Sequence, residues 1–258
     1  MYQQIKILAL SAVVAMSLGT GAVPKKITVF VYNYAATPSE VLVQTEAEAA
    51  RIYQLGGIEI QWLNCPLSPQ EVDQFPACQV APGPTKLALR ILSQSMAERV
   101  RQAEDSFGFA MFPEDESFAI IANVFSHDAE ALAHRHGMRH GLVLGHLVAH
   151  ELGHLLLGAG SHSSQGIMHV PWGVKELDMI RRRSMVFTSR EAERMRTNIA
   201  ARTAIARASH AASHRRVMIK QYDGVNLSLS EVSRAEREAQ EIFSLRWNPE
   251  CVDDRTAG

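Results

Sequence analysis

Cysteine is scarce in this chain, with three in 258 residues: Cys65, Cys78 and Cys251. No two of them form a C-x-x-C pair, which argues against a cysteine-based zinc site. Charge of one sign is also lacking. The formal net charge is -1, so the chain as a whole gives no electrostatic case for nucleic acid or an acidic membrane as partner. Long apolar runs are lacking too. Ile7 to Leu18 has the length of a signal-peptide core and is short for a bilayer span, and no other segment is long enough to cross a membrane.

That one run has the flanks of an export signal. Lys6 supplies a positive start, and Thr20-Gly21-Ala22 offers small residues for cleavage after Ala22. The expectation is a signal peptide over 1–22 and an exported protein, secreted or periplasmic, with no membrane span after signal removal. An apolar first helix or a retained anchor is the plainer alternative. Cys65 and Cys78 flank a loop that holds Pro66, Pro69 and Pro76. In an exported protein a disulfide closing that loop is the natural reading, with Cys251 left over.

What is present is an ordinary globular balance, 47% hydrophobic and 21% charged. The length suffices for one sizeable core with an appendage. Lys26 to Asn33 is β-branched and aromatic, which predicts a strand. Thr37-Pro38-Ser39-Glu40 predicts a helix start, with Thr37 as N-cap and Glu40 closing a capping box. That helix runs to Leu55, Gly56-Gly57 ends it, and Ile58 to Trp62 alternates as a second strand. The unit is β-α-β, with parallel strands. Leu87 to Leu92 reads as a third strand, and Ser93 to Ala103 as helix or loop. Phe107 to Phe112 and Phe118 to Phe125 are separated too tightly for a crossover helix, so they predict an antiparallel pair. Ser126 is expected to cap a helix through His136. Thr188-Ser189-Arg190-Glu191 is a second capping box, opening a helix to about His210 with Ala192, Met195 and Ile199 on its apolar stripe. The last residues, 216–258, are polar and are expected to form a helical extension to a domain over 24–215. Within them a faint spacing echo of the first β-α-β unit reads either as a fragment of a second, incomplete domain copy or, the slightly favoured reading, as a chance amphipathic helix.

Met138 to Leu157 predicts a central helix, apolar nearly all round and therefore buried. It carries His150-Glu151-Leu152-Gly153-His154. Residues i and i+4 share one helix face, so the two imidazoles can bind one metal ion. Glu151, beside that face, can take a proton from water activated by the metal. A catalytic zinc takes three protein ligands. The third must come from beyond the helix, and His162 is the nearest candidate, because Gly158 lets the chain turn sharply. Glu176 is the rival. Other histidines have blander readings: His146 as a hydrogen-bonded core residue, and His127, His134, His136 and His140 as surface or helix-end residues; for His169 substrate contact is the minority reading.

His150-Glu151-x-x-His154, then Gly158 and His162, followed by Gly166-Ile167-Met168, resembles the metzincin zinc peptidases. Their pattern is His-Glu-x-x-His-x-x-Gly-x-x-His and then a Met-turn. The resemblance covers Ile27 to Ile205. It implies an α/β fold: a mixed twisted sheet with an antiparallel edge strand, a buried active-site helix and a C-terminal helix. It implies Zn2+ as cofactor, His150, His154 and His162 as ligands, Glu151 as general base and Met168 as the Met-turn residue. It also implies a peptide or protein substrate paired along an edge strand, here Phe107 to Phe112. The chain departs from the pattern in two places. Two extra residues separate the second and third histidines, and the glycine comes one position late. No tyrosine follows closely after Met168, so transition-state stabilisation by tyrosine is not supported, and no cysteine switch precedes the first strand. The alternatives are a gluzincin-type hydrolase using Glu176, a non-catalytic zinc-containing binding protein, and a zinc hydrolase of a non-peptide amide.

Overall fold

The computed structural model describes residues 25–100, 106–113 and 118–211. The expected signal segment, the polar extension and Cys251 lie outside the described residues. The elements in chain order are β1 (Lys25–Asn33), α1 (Ser39–Leu55), β2 (Ile58–Asn64), α2 (Pro69–Val72), β3 (Lys86–Leu92), α3 (Gln94–Val100), β4 (Gly108–Met111), β5 (Ile121–Phe125), α4 (Ser126–Arg135), α5 (His140–Leu157), α6 (Val174–Arg181) and α7 (Ser189–Ala211).

The strands form one five-stranded mixed sheet of order β2-β1-β3-β5-β4. β1 pairs parallel with β2 and β3, and β3 pairs parallel with β5. β4 runs antiparallel to β5 at the edge, from Gly108 opposite Val124 to Met111 opposite Ile121. Alternation along the strands sorts the two faces. Ile27, Val29 and Val31 of β1, Leu87, Leu89 and Ile91 of β3, and Ala122 and Val124 of β5 join the main core with α1, α5 and α7. Leu92 and Phe125 point the other way, where Ala97 of α3 covers them.

The buried helix α5 is the centre of the molecule, and its approach to α1 depends on two glycines. A Cβ on Gly141 would meet Gln44 Cβ at 2.5 Å, and one on Gly145 would meet Glu48 Cβ at 2.8 Å. The next small residue on that stripe, Ala149, accepts a hydrogen bond from Tyr53 Oη at 3.1 Å. The C-terminal end of α5 is held by α7. Asn198 Nδ2 donates to Leu156 O at 2.7 Å, and Arg202 donates to Leu155 O. These side chains satisfy carbonyls that a helix end leaves unpaired.

Several expected details differ. The Thr37 capping box does not form: Pro38 is the N-cap of α1 and makes no side-chain cap. Thr37 Oγ1 instead meets Ser126 Oγ at 3.0 Å, and its amide donates to Asn33 Oδ1. Ser126 is therefore used up in linking two loops and does not cap α4, whose N-cap is Phe125. A hydroxyl reached by a tertiary partner is no longer free for a local cap. The strand expected from Phe118 starts only at Ile121. Phe118 is drawn instead under the Arg202 guanidinium, 4.5 Å from its ring centre. The second capping box does form: Thr188 N donates to Glu191 Oε2 at 2.7 Å, and Glu191 N to Thr188 Oγ1 at 3.3 Å. Helix α6 was not expected.

Candidate metal centre

His150 and His154 are one turn apart on α5, and their Nε2 atoms lie 3.0 Å apart. Gly158 ends the helix with φ of +98°, a conformation a side chain would resist. The chain then returns through Ala159, Gly160 and Ser161 to His162. That return brings the three imidazoles together: one ligand nitrogen from each lies within 4.8 Å of the others. Ring centres are 5.5 Å apart for His150 and His162, and 4.8 Å for His154 and His162. His150 is buried and His162 exposed, so the cluster spans the boundary between core and cleft. The two additional loop residues are absorbed without displacing His162 from the cluster.

The rings are oriented from behind. His150 Nδ1–H donates to Ile167 O at 2.8 Å. A carbonyl only accepts, so this bond fixes the tautomer and leaves the Nε2 lone pair facing the other imidazoles. Ile167 is itself anchored, its amide donating to Val186 O at 3.0 Å. His154 Nδ1 is 2.9 Å from Ser161 Oγ. Burial holds both rings neutral, with His150 pushed down to about 4. His154 goes to about 3, by burial first and then by the adjacent His150 and His162. Neutral imidazole is the form that binds a metal. Three imidazole nitrogen donors converging at one point, one of them tautomer-locked toward it, fit the donor set of a zinc ion.

Glu151 is 5% exposed and stands beside the cluster against the edge strand. A Cβ on Gly108 of β4 would meet Glu151 Cγ at 2.9 Å and Oε1 at 3.0 Å. The absence of a side chain there lets the carboxylate lie against the strand backbone. Burial raises its pKa to about 8. Met168 is fully buried under the same helix turn, where a Cβ on Gly153 would meet its sulfur at 2.8 Å. Its segment is a tight turn closed by Ser163 N donating to Met168 O at 3.0 Å.

An open cleft of about 760 Å³ runs over this cluster. β4 with Phe109, and Phe107 just before it, form one wall, and the Val170-Pro171-Trp172 segment forms another. Trp172 stands edge-on to His150, with ring centres 6.0 Å apart, and its Nε1 donates to His169 O at 2.8 Å.

The remaining sequence candidates fall outside the cluster. Glu176 is occupied elsewhere: its carboxylate accepts from the Gly173 amide at 3.0 Å at the start of α6 and lies 3.7 Å from His169 Nε2. His169 Nδ1 is 3.1 Å from Ser163 O. His146 is a core histidine, with Nδ1 at 2.8 Å from Leu142 O and Nε2 at 3.7 Å from Glu48 Oε1. Glu48 is a buried carboxylate held by Arg51 at 2.6 Å and Arg183 at 2.6 Å. Cys65 and Cys78 are joined by a disulfide. Sequence reasoning missed Ser161, Gly108 and Trp172. Ser161 carried the one usable signal, a hydroxyl adjacent to a candidate ligand in a glycine-bearing loop.

Solved structures similar to this chain include the following two. One is a zinc-dependent peptidase from Methanocorpusculum labreanum, at 15% identity and a TM-score of 0.42, covering 65% of this chain and 99% of its own. The other is an archaemetzincin from Methanopyrus kandleri, at 14% identity and a TM-score of 0.41, covering 68% of this chain and 97% of its own. No family model matches the chain, and no curated protein matches it.

Proposed function

We propose that this protein is a zinc-dependent peptidase of metzincin type. The observation that carries the reading is the convergence of His150, His154 and His162 beside a buried Glu151, at the floor of a cleft bordered by an antiparallel edge strand. His150, His154 and His162 would hold the zinc, and Met168 supports the helix turn from below. A zinc ion bound there would acidify a water, polarise a substrate carbonyl and supply the positive charge that favours ionised Glu151. Glu151 would accept a proton from the attacking water and pass it to the leaving amine. Ile167 O and Ser161 Oγ hold the two helix imidazoles in their ligating orientation. β4 offers its free edge to an extended peptide, whose backbone would pair with it and lie across the cluster. The Cys65–Cys78 disulfide supports an oxidising, exported location.

Zinc content and peptide hydrolysis test the reading together. Glu151→Ala should keep zinc and lose roughly 100- to 10,000-fold in kcat. His162→Ala should lose both zinc and activity. Full hydrolysis by Glu151→Ala would defeat the proposed chemistry, and zinc retained by His162→Ala but lost by Glu176→Ala would move the third ligand.

A further inference from the structure

The described part of the cleft wall carries very little charge. Among the described residues that line it, Arg135 is the permanent charge and Glu151 the one carboxyl group; the other lining side chains are apolar, hydroxyl or imidazole. Glu151 is committed to the floor beside the histidines. Arg135 stands at the end of α4, exposed, and no hydrogen bond or ion pair holds its guanidinium among the described residues. Its route to the metal cluster is short in residues. Leu132 lies three positions earlier on the same face of α4 and lines the cleft with it. Leu147 lines it from α5, three positions before His150. Arg135, Leu132, Leu147 and His150 therefore form one side of the cleft, a cation at the rim of an apolar wall that leads to the reacting centre.

An arginine in the last turn of a helix also complements the helix dipole. That role needs the charge near the helix end but not a place in the cleft lining. A guanidinium at the edge of an apolar wall, with no carboxylate on it among the described residues, is built to receive one from a ligand, because its planar fork matches a carboxylate in two parallel hydrogen bonds.

We infer that Arg135 makes the cleft selective for substrates presenting a carboxylate close to the scissile bond, on the side bounded by α4. The inference deepens the peptidase reading and rests on it. The carboxylate has two sources, an Asp or Glu side chain within a longer peptide or the free C-terminus of a short one. The hydrophobic stretch between Arg135 and His150 asks for an apolar body between the charge and the bond that is cut.

The test uses the zinc-loaded full chain and internally quenched peptides. In one arm Asp is compared with Asn at each position flanking the cleaved bond. In a second arm, identical peptides end in a free acid or an amide. The wild type should prefer the charged member in at least one arm by roughly five- to tenfold in kcat/KM, the scale of a charge-assisted contact at a partly solvated site. Arg135→Gln should bring that ratio near one, and Arg135→Lys should retain part of it. A ratio confined to the first arm identifies the side chain, and one confined to the second identifies the C-terminus. A wild-type ratio near one in both arms, or a ratio unmoved by Arg135→Gln, overturns the inference. Using a ratio removes any general loss from altered folding. If no peptide is hydrolysed, the peptidase reading fails by itself. The same peptide pairs, labelled and titrated by anisotropy onto zinc-loaded Glu151→Ala with and without Arg135→Gln, still decide the question. A charge-dependent affinity that needs Arg135 supports it, and equal affinities overturn it.

Discussion

Ser161 is the residue whose role is plainest in the structure and faintest in the sequence. Its hydroxyl lies 2.9 Å from His154 Nδ1, so it holds the half of the imidazole that faces away from the cluster. Such partners set ring orientation and ligand basicity. Ser161→Ala should therefore weaken zinc binding by about 10- to 100-fold with little change in thermal stability, measured by competition against a zinc chelator. An unchanged zinc affinity would mean that backbone geometry alone orients His154. The helix pair and Glu151 were legible because their spacing is local: a period of four on a helix puts both rings on one face whatever the surrounding fold. Ser161 was not legible, since its partner is chosen by how the loop after α5 turns, and serines are common in loops. The contrast between His162 and Glu176 has the same basis. Both are reachable by chain length, and only the folded chain shows that Glu176 is taken by the Gly173 amide and His169.

Helix α5 was expected from its apolar run, and its burial follows from having no polar face broad enough for water. Which neighbour it packs on was not readable. The decisive residues are Gly141 and Gly145, which bring α1 within backbone contact. A Cβ on Gly145 would stand 2.9 Å from Thr45 O and 2.8 Å from Glu48 Cβ. Gly145→Val should destabilise the protein by about 1–3 kcal/mol through overpacking, read from urea unfolding. A variant as stable as the wild type would show that α1 can slide away without loss. Displacing α1 would also disturb Glu48. Burial pushes this carboxylate's pKa up, but hydrogen bonds from Arg51 and Arg183 outweigh it and hold the pKa below its ordinary value. The capping predictions divide for a reason at this scale. Thr188 and Glu191 have no competing tertiary partner and close their box, whereas Thr37 and Ser126 find each other across 89 residues and leave their helices uncapped.

For the molecule as a whole, the buried groups in and near the histidine cluster shape how stability depends on pH when no metal is bound. His150 is pushed down to about 4 and His154 to about 3, against an ordinary value of 6.5. His146 is lowered as well, chiefly by burial. Below 6.5 the unfolded chain therefore binds more protons than the folded one, and stability falls as the pH falls. Glu151 works in the other direction. Its pKa is raised by burial from 4.5 to about 8, so the folded chain keeps a proton that the unfolded chain releases, and stability falls as the pH rises toward 8. Below 6.5 the histidines outnumber the glutamate. The metal-free protein should thus be most stable near pH 6.5 with respect to these groups. Urea midpoints from about pH 5 to 9 would show the maximum. Glu151→Gln should remove the alkaline decline, and an unchanged decline in that variant would place its origin elsewhere. Periodicity and spacing in the chain alone determined the β-α-β start, the antiparallel edge, the buried helix and the paired imidazoles on it, because each depends on residues a few positions apart. The tertiary structure alone decided the sheet order, the return of His162 past a loop longer than the resemblance implied, the packing of Gly108 on Glu151 and the place of Arg135 in the cleft. Those depend on contacts between residues far apart in sequence, where loop closure and packing, rather than local spacing, select the partner.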